Sequence, residues 1–402
     1  MNKIFFKRKK IFKIKKKKLL LIYIMFIIFL SIKFRNINKN INRINFDKIK
    51  NYSIYDAAKK GKEFLNISHN GLLLSKNRIK LTSNPKVSVV IPVYNKQNYI
   101  KQTIRSIQNQ IMLDIDIVIV NDFSSDNTSK ILVEIKKDDK RIRVINNKKN
   151  MGTLYTRCIG TLASNGRYIF PLDGDDMFLD KDIVNNIYYL AKKNKIDIVV
   201  FKGIIVRQFN DILNLKNLIP FRRNIVTNNF YYQPEISKSP DIVLWGQCIK
   251  AEIYKKSIEI YGKKRYNFHL KYYEDAIINH IIYQLANSAT SIQYYGILYL
   301  FKLGSVSTSV TELEKDISFM KYIEIMIDFS RNIIELKNKI TIKIIYFFNN
   351  GNFEKFLNRT KFKVEFKKLL KKIFNSKFLS YKNKIDIKNN ISKILLNNYE
   401  NY

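Results

Sequence analysis

Hydrophobic positions change their rhythm along this chain, and the change locates the folded domain. From Lys86 onward the runs VSVVIPVY (87–94) and IDIVIV (115–120) are unbroken and rich in β-branched residues, the pattern of strands buried on both faces. Between them Tyr99–Gln110 places apolar residues at helical spacing, so the three segments predict a βαβ unit. The alternation continues with Arg141–Ile145 as a strand, Thr153–Ala163 as a helix, Arg167–Leu172 as a strand, Asp182–Lys193 as a helix and Ile196–Val206 as a strand. Such alternation predicts an α/β, Rossmann-like fold: a mostly parallel sheet with helices on both faces. A less regular stretch follows to Ser309. Beyond it Glu312–Phe348 and Phe353–Asn398 keep a helical period and are strongly basic, which predicts a helical C-terminal extension over residues 311–402.

Upstream, basic residues crowd positions 3–18, and Leu19–Ile32 (LLLIYIMFIIFLSI) carries no charge until Lys33. A helix over that run reaches roughly 21 Å, short of the ~30 Å hydrocarbon core, so spanning requires snorkelling lysines or a thin bilayer. No small-x-small cleavage pattern follows Ile32. The segment 19–33 therefore reads as a retained single-span signal-anchor, with an interfacial helix or a cleaved signal as alternatives. The basic excess ahead of it predicts a cytosolic N-terminus for the tail 1–18 and, in a eukaryotic cell, a Golgi or ER lumen for the rest. Residues 34–84 are polar and Asn-rich, a stem with a short helix near Tyr55–Phe64, and 85–310 form the folded domain.

Composition narrows the classes. With 73 Lys+Arg against 33 Asp+Glu the formal net charge is +40, which invites a nucleic-acid reading. Sixteen of those basic residues and a single Asp lie in the first fifty positions, beside the apolar segment, so the charge is better read as a membrane-surface bias laid over a Lys-rich composition. The chain also lacks the basic-aromatic motif of an RNA-binding sheet, so no specific nucleic-acid partner is expected. Two cysteines, Cys158 and Cys248, exclude a disulfide scaffold and a Cys-built zinc site. No G-x-G-x-x-G follows the first strand, which disfavours a nicotinamide dehydrogenase.

Carboxylates are scarce, so their placement at strand ends is informative. Asp122 follows the second strand in NDFSSDNT (121–128), at the edge of a parallel sheet where ligands bind; it serves either a base or ribose, or the cap of the helix that starts near Thr128. PLDGDDMF (171–178) sets Asp173, Asp175 and Asp176 directly after a strand. Three carboxylates within four residues repel one another unless a cation offsets them, and oxygen ligands select Mg²⁺ or Mn²⁺, whose shell is commonly completed by substrate phosphates. An acidic turn capping the next helix is the alternative.

Taken in order, IPVYN (91–95), NDFSSDNT, NMGTLYTRCIG (150–160), PLDGDD, LWGQCIKAEIY (244–254), YYED (272–275) and LFKLGSVS (300–307) resemble the inverting family 2 glycosyltransferases of the GT-A fold across about 220 residues. The resemblance implies a metal-dependent enzyme that moves one sugar from a nucleotide-diphosphate donor, a UDP-sugar, to a hydroxyl of a glycan, lipid or protein. It implies that Pro92, Tyr94, Asn95, Asp122, Arg157 and Asp173 hold the donor nucleotide, with Tyr94 stacking on the base and Asp122 accepting a hydrogen bond from it. Asp173 would contact ribose and Asp175 the Mn²⁺ or Mg²⁺, with Asp173 as a second ligand. Asp275, with Glu274 beside it, would take the acceptor proton. Asp176, Trp245 and Lys302 are candidates for contact with the diphosphate or acceptor. Two departures matter: Phe123 stands where relatives often have Gly, and the Q-x-x-R-W motif of processive members is absent, which argues for single addition. A catalytically silent sugar-nucleotide or glycan-binding protein of the same fold is the alternative.

Overall fold

The computed structural model describes residues 53–70, 82–207, 211–212, 214–215, 219–221, 243–262, 273–301, 311–329, 360–375 and 385. The basic tail, the apolar segment 19–33 and Lys302 lie outside the described residues. Among the described residues no helix is long and apolar enough to cross a membrane.

The first half follows the sequence closely. Strand β1 (Val87–Val93), helix α2 (Ile100–Gln108, after α1 at Ile54–Asn70), β2 (Ile115–Asn121), α3 (Thr128–Asp138), β3 (Ile142–Asn146), α4 (Thr153–Ala163) and β4 (Tyr168–Pro171) build a parallel array in the order β3-β2-β1-β4. Every residue of β1 and β2 is buried, so side chains on both faces of these strands are covered. Pro92 sits in this central strand without disturbing it. Val90 accepts from the Leu172 N–H on the β4 side and Val93 from Asp122 on the β2 side, so an amide at 92 would face β4, whose pairing with β1 has already ended at Val90↔Pro171.

The second half departs from the expected parallel sheet. It adds β5 (Met177–Phe178), α5 (Ile183–Lys193), β6 (Ile198–Val206), β7 (Ile219–Phe221), β8 (Gln247–Lys250), α6 (Ala251–Tyr261), α7 (Glu274–Leu285) and β9 (Ala289–Leu300). The sheet is mixed: β8 lies antiparallel between β4 and β6, β5 pairs antiparallel with β9 and β7 with β6, while β6 and β9 run parallel. The expectation of a mostly parallel sheet thus holds for β1–β4 and fails beyond them. β5 follows β4 after only five residues, and pairs not with it but with β9 at the far end of the sheet.

Three further helices pack on this domain. Helix α1, inside the stretch read as stem, buries Ala57, Ala58, Phe64 and Leu65, and a Cβ at Gly61 would come within 2.6 Å of the Leu179 side chain. Its Lys60 Nζ donates to Asp180 at 2.8 Å. Past the sheet, α8 (Glu312–Phe329) and α9 (Thr360–Asn375) bury Ile317, Met320, Tyr322, Ile323, Phe366 and Leu369 in one core with α4, α6 and α7. Cys158 and Cys248 are buried free thiols.

Candidate active site

Because β1, β2 and β4 are parallel neighbours, Tyr94, Asp122 and Asp173 emerge at one edge of the sheet. Tyr94 is 44% and Phe123 58% exposed, two aromatic rings open to solvent at that edge. Phe123 takes φ 61°, a left-handed conformation that a glycine would adopt without strain. Asn95, also left-handed at φ 50°, accepts from the Ser125 N–H at 2.9 Å and its own N–H donates to Ser124 Oγ at 3.0 Å. It ties two loops together.

Asp122 is buried and already engaged: Oδ1 accepts from Asn147 Nδ2 at 2.7 Å and the Met151 N–H at 2.8 Å, and Oδ2 accepts from the Gly152 N–H at 2.8 Å. A carboxylate has about four lone-pair sites, so Asp122 retains room for one more donor. Its main structural effect is to fix the entry to α4, whose cap residue Gly152 has φ 86° and no side-chain cap. Helix α4 then presses onto the sheet, where a Cβ at Gly160 would lie 2.7 Å from Val90 Cγ1 and 3.0 Å from Val120 Cγ2. One turn earlier on the same face stands Arg157.

Arg157 organises the site. Its Nη2 donates to Asp173 Oδ1 at 2.7 Å and its Nη1 forms an ion pair with Asp275 Oδ1, so one buried guanidinium joins the DGDD turn to the start of α7, 118 residues away in sequence. Burial opposes the charge, but Asp275 and Asp173 outweigh it and hold the Arg157 pKa above its ordinary value. Arg157 faces protein carboxylates and is thereby a bridge inside the site. Asp275 Oδ2 accepts from the Leu244 N–H at 3.1 Å, and Asn279 Nδ2 donates to the Val243 carbonyl at 3.0 Å, which binds the LWG loop to α7. Trp245 is buried, stacked on Tyr299 with centroids 5.1 Å apart, and packs close to Gly203; its ring supports the sheet.

Glu274 shares this neighbourhood. Burial, then the charge of Asp275, push its carboxyl from the usual 4.5 up to about 7, against a pull from Arg157. A folded-state pKa above the unfolded one means that the folded chain holds this proton more tightly, so stability falls as pH rises from about 4.5 through about 7. Glu274→Gln is expected to flatten that fall in urea midpoints measured between about pH 5 and about pH 8; an unchanged slope would refute the assignment.

In the DGDD turn Asp175 Oδ2 accepts from Lys96 Nζ at 2.6 Å, and the Lys96 stem runs over Gly174, where a Cβ would stand 3.3 Å from its Cγ. Lys96, directly after IPVYN, is a site residue that the sequence reading missed; a lysine after a turn gives no sign of the carboxylate 79 residues on. Asp176 is buried, with Oδ1 accepting from the Leu300 N–H at 3.4 Å and Oδ2 without a hydrogen-bond partner. Burial and then the charges of Asp175 and Asp173 push its carboxyl well above the usual range. Asp176 thus supports the turn from beneath. Among the described residues no three Asp, Glu, His or Cys side chains converge as a ready-made metal cage. The donor set fits a hard cation held in the other common way, by one or two carboxylates with the remaining positions left to water and substrate phosphates.

The site thus gathers a D-x-D turn at the edge of a Rossmann-like sheet and, through Arg157, the acidic pair that opens α7. Residues 88–260, somewhat under half of the chain, match the model of Glycosyl transferase family 2. A glycosyltransferase of Haemophilus influenzae is 32% identical over 188 residues, covering 44% of this chain and 56% of that protein. Glycosyltransferase GlyA of Streptococcus pneumoniae is 28% identical over 236 residues, 56% of this chain and 32% of that one. The chain therefore spans between a third and somewhat over half of the length of these relatives. Among solved structures, S. aureus TarS 1–349 in complex with UDP-GlcNAc superposes with a TM-score of 0.54 at 14% identity, covering 72% of this chain and 81% of that one. At that identity the likeness shows the fold, the Rossmann-like GT-A arrangement.

Proposed function

We propose that this chain transfers a single sugar from a nucleotide-diphosphate donor, a UDP-sugar, to an acceptor hydroxyl with inversion, Asp275 acting as general base. The observation that carries the reading is the bridge Asp173–Arg157–Asp275, which joins a D-x-D turn inside the family 2 match to a carboxylate just beyond its end. The complex of the similarly folded TarS with UDP-GlcNAc supports the donor class.

In the proposed displacement the acceptor O–H proton passes to an Asp275 oxygen, the new C1–O bond forms as the C1–O bond to phosphate breaks, and that electron pair leaves on the nucleoside diphosphate. Asp175, with Asp173, would hold a divalent cation, whose chemistry is to neutralise charge on the departing diphosphate. Tyr94 and Phe123 offer exposed ring faces for the nucleobase. Asp122 shapes the adjoining loop and can accept one further hydrogen bond.

A donor screen by nucleotide release from the full chain with Mn²⁺ should find at least one UDP-sugar. In Asp175→Ala kcat/KM should fall by about 10²–10³-fold. Activity that survives this change, or survives chelation, would overturn the cation assignment and leave transfer intact. A silent binding protein is the second reading, favoured by the engagement of both Asp275 oxygens; donor binding by calorimetry without turnover over an acceptor library would establish it.

A further inference from the structure

We infer that α8, which lies beyond the family 2 match, sets the position of the catalytic carboxylates through an aromatic clamp on Tyr273; the inference rests on the glycosyl-transfer reading above. Tyr273 immediately precedes Glu274 and Asp275 and is the N-cap of α7, yet it makes no side-chain cap hydrogen bond. Its backbone is left-handed, φ 65° and ψ 9°, a conformation that a bulky L-residue holds only when its surroundings impose it.

The surroundings are two rings of α8. Tyr322 stacks on the Tyr273 ring with centroids 5.8 Å apart and planes at 21°, and Phe319 packs at 5.3 Å and 55°. Phe319 and Tyr322 are themselves 6.0 Å apart, so the three rings form one cluster. Tyr322 is buried, and its hydroxyl lies 3.1 Å from His280 Nδ1, which is 3.0 Å from the Ala276 carbonyl. One α8 side chain therefore touches α7 both before and after Asp275, at 273 and at 280. A tilt of the first turn of α7 would pull Asp275 off Arg157 and off the Leu244 N–H together, since both bonds depend on where that turn points. Aromatic packing does here what a side-chain cap does elsewhere. Tyr273, Phe319 and Tyr322 are positioning residues, acting on substrate only through Asp275.

The test uses the full chain with Tyr322→Leu, Tyr322→Phe and Phe319→Leu. Tyr322→Leu is expected to lower kcat by about tenfold to a hundredfold at a nearly constant donor KM, as misplacement of a reacting group does. Tyr322→Phe keeps the stack and should restore kcat to nearly the parent value. Amide exchange, which needs no activity, should quicken at Tyr273–Ala276 in Tyr322→Leu and stay unchanged in β1. If Tyr322→Leu shows no cooperative thermal transition, Phe319→Leu, at a less buried ring, gives the same two readouts. A parent chain that transfers no sugar overturns the glycosyl-transfer reading, and amide exchange alone then decides the clamp. Unchanged exchange at Tyr273–Ala276, an unchanged kcat, or a kcat loss that Tyr322→Phe shares would overturn the clamp.

Discussion

Asp275→Asn should remove transfer activity almost completely, with kcat down by about 10²–10⁴-fold and donor affinity nearly unchanged. The amide keeps the shape of the carboxylate and can still accept from the Leu244 N–H, so the LWG loop should stay tied to α7. What is lost is a group able to take a proton, together with the negative charge that pairs with Arg157. Glu274→Gln is the informative companion. If Glu274, held near neutrality, were the base, its amide would carry the large loss and Asp275→Asn the small one. Single-turnover kinetics with the winning donor separate the two, and a large defect confined to Glu274→Gln would transfer the role.

Arg157→Met is expected to cost about 3–5 kcal/mol of folding stability. The guanidinium is 5% exposed and neutralises Asp173 and Asp275, with Glu274 close enough to be felt. Without it these carboxylates, Asp173 30% and Asp275 16% exposed, lose the cation that offsets their charge. The loss should therefore be greater at neutral pH than in acid, where protonation relieves the repulsion. Arg157→Lys should recover only part of it, because an ammonium lacks the planar fork that reaches two carboxylates at once. Urea unfolding at two pH values measures all three; equal stability of Arg157→Met and parent would show that the bridge contributes nothing.

The parallel half of the fold was legible because its strands are continuous apolar runs separated by helices of clear period; α4 begins and ends at the residues the pattern indicates. Legibility failed where strands are short or paired across long stretches of chain. β5 has two residues, β8 has four, and the twelve-residue β9 alternates buried with half-buried positions too irregularly to announce itself. At the site, the strand-end carboxylates could be read from sequence, and their partners could not. Asp122 stands at the anticipated edge, yet three of its bonds go to Asn147, Met151 and Gly152. Arg157, expected against the nucleotide, faces Asp173 and Asp275, and Trp245, a candidate for the acceptor, lies under Tyr299. Such contacts join residues from 16 to 118 positions apart, a separation that leaves no local pattern to detect.

Helix α1 bears on where this molecule can be cut. A fragment starting after residue 70 would lack Ala57, Ala58 and Leu65, laying bare the Met177, Leu179 and Leu298 side chains that pack with them, and would deprive Asp180 of the Lys60 ammonium. The uncovered patch adjoins the segment that follows the DGDD turn. The smallest piece with an intact hydrophobic surface accordingly begins before Ile54, well upstream of residue 88, where the family resemblance starts.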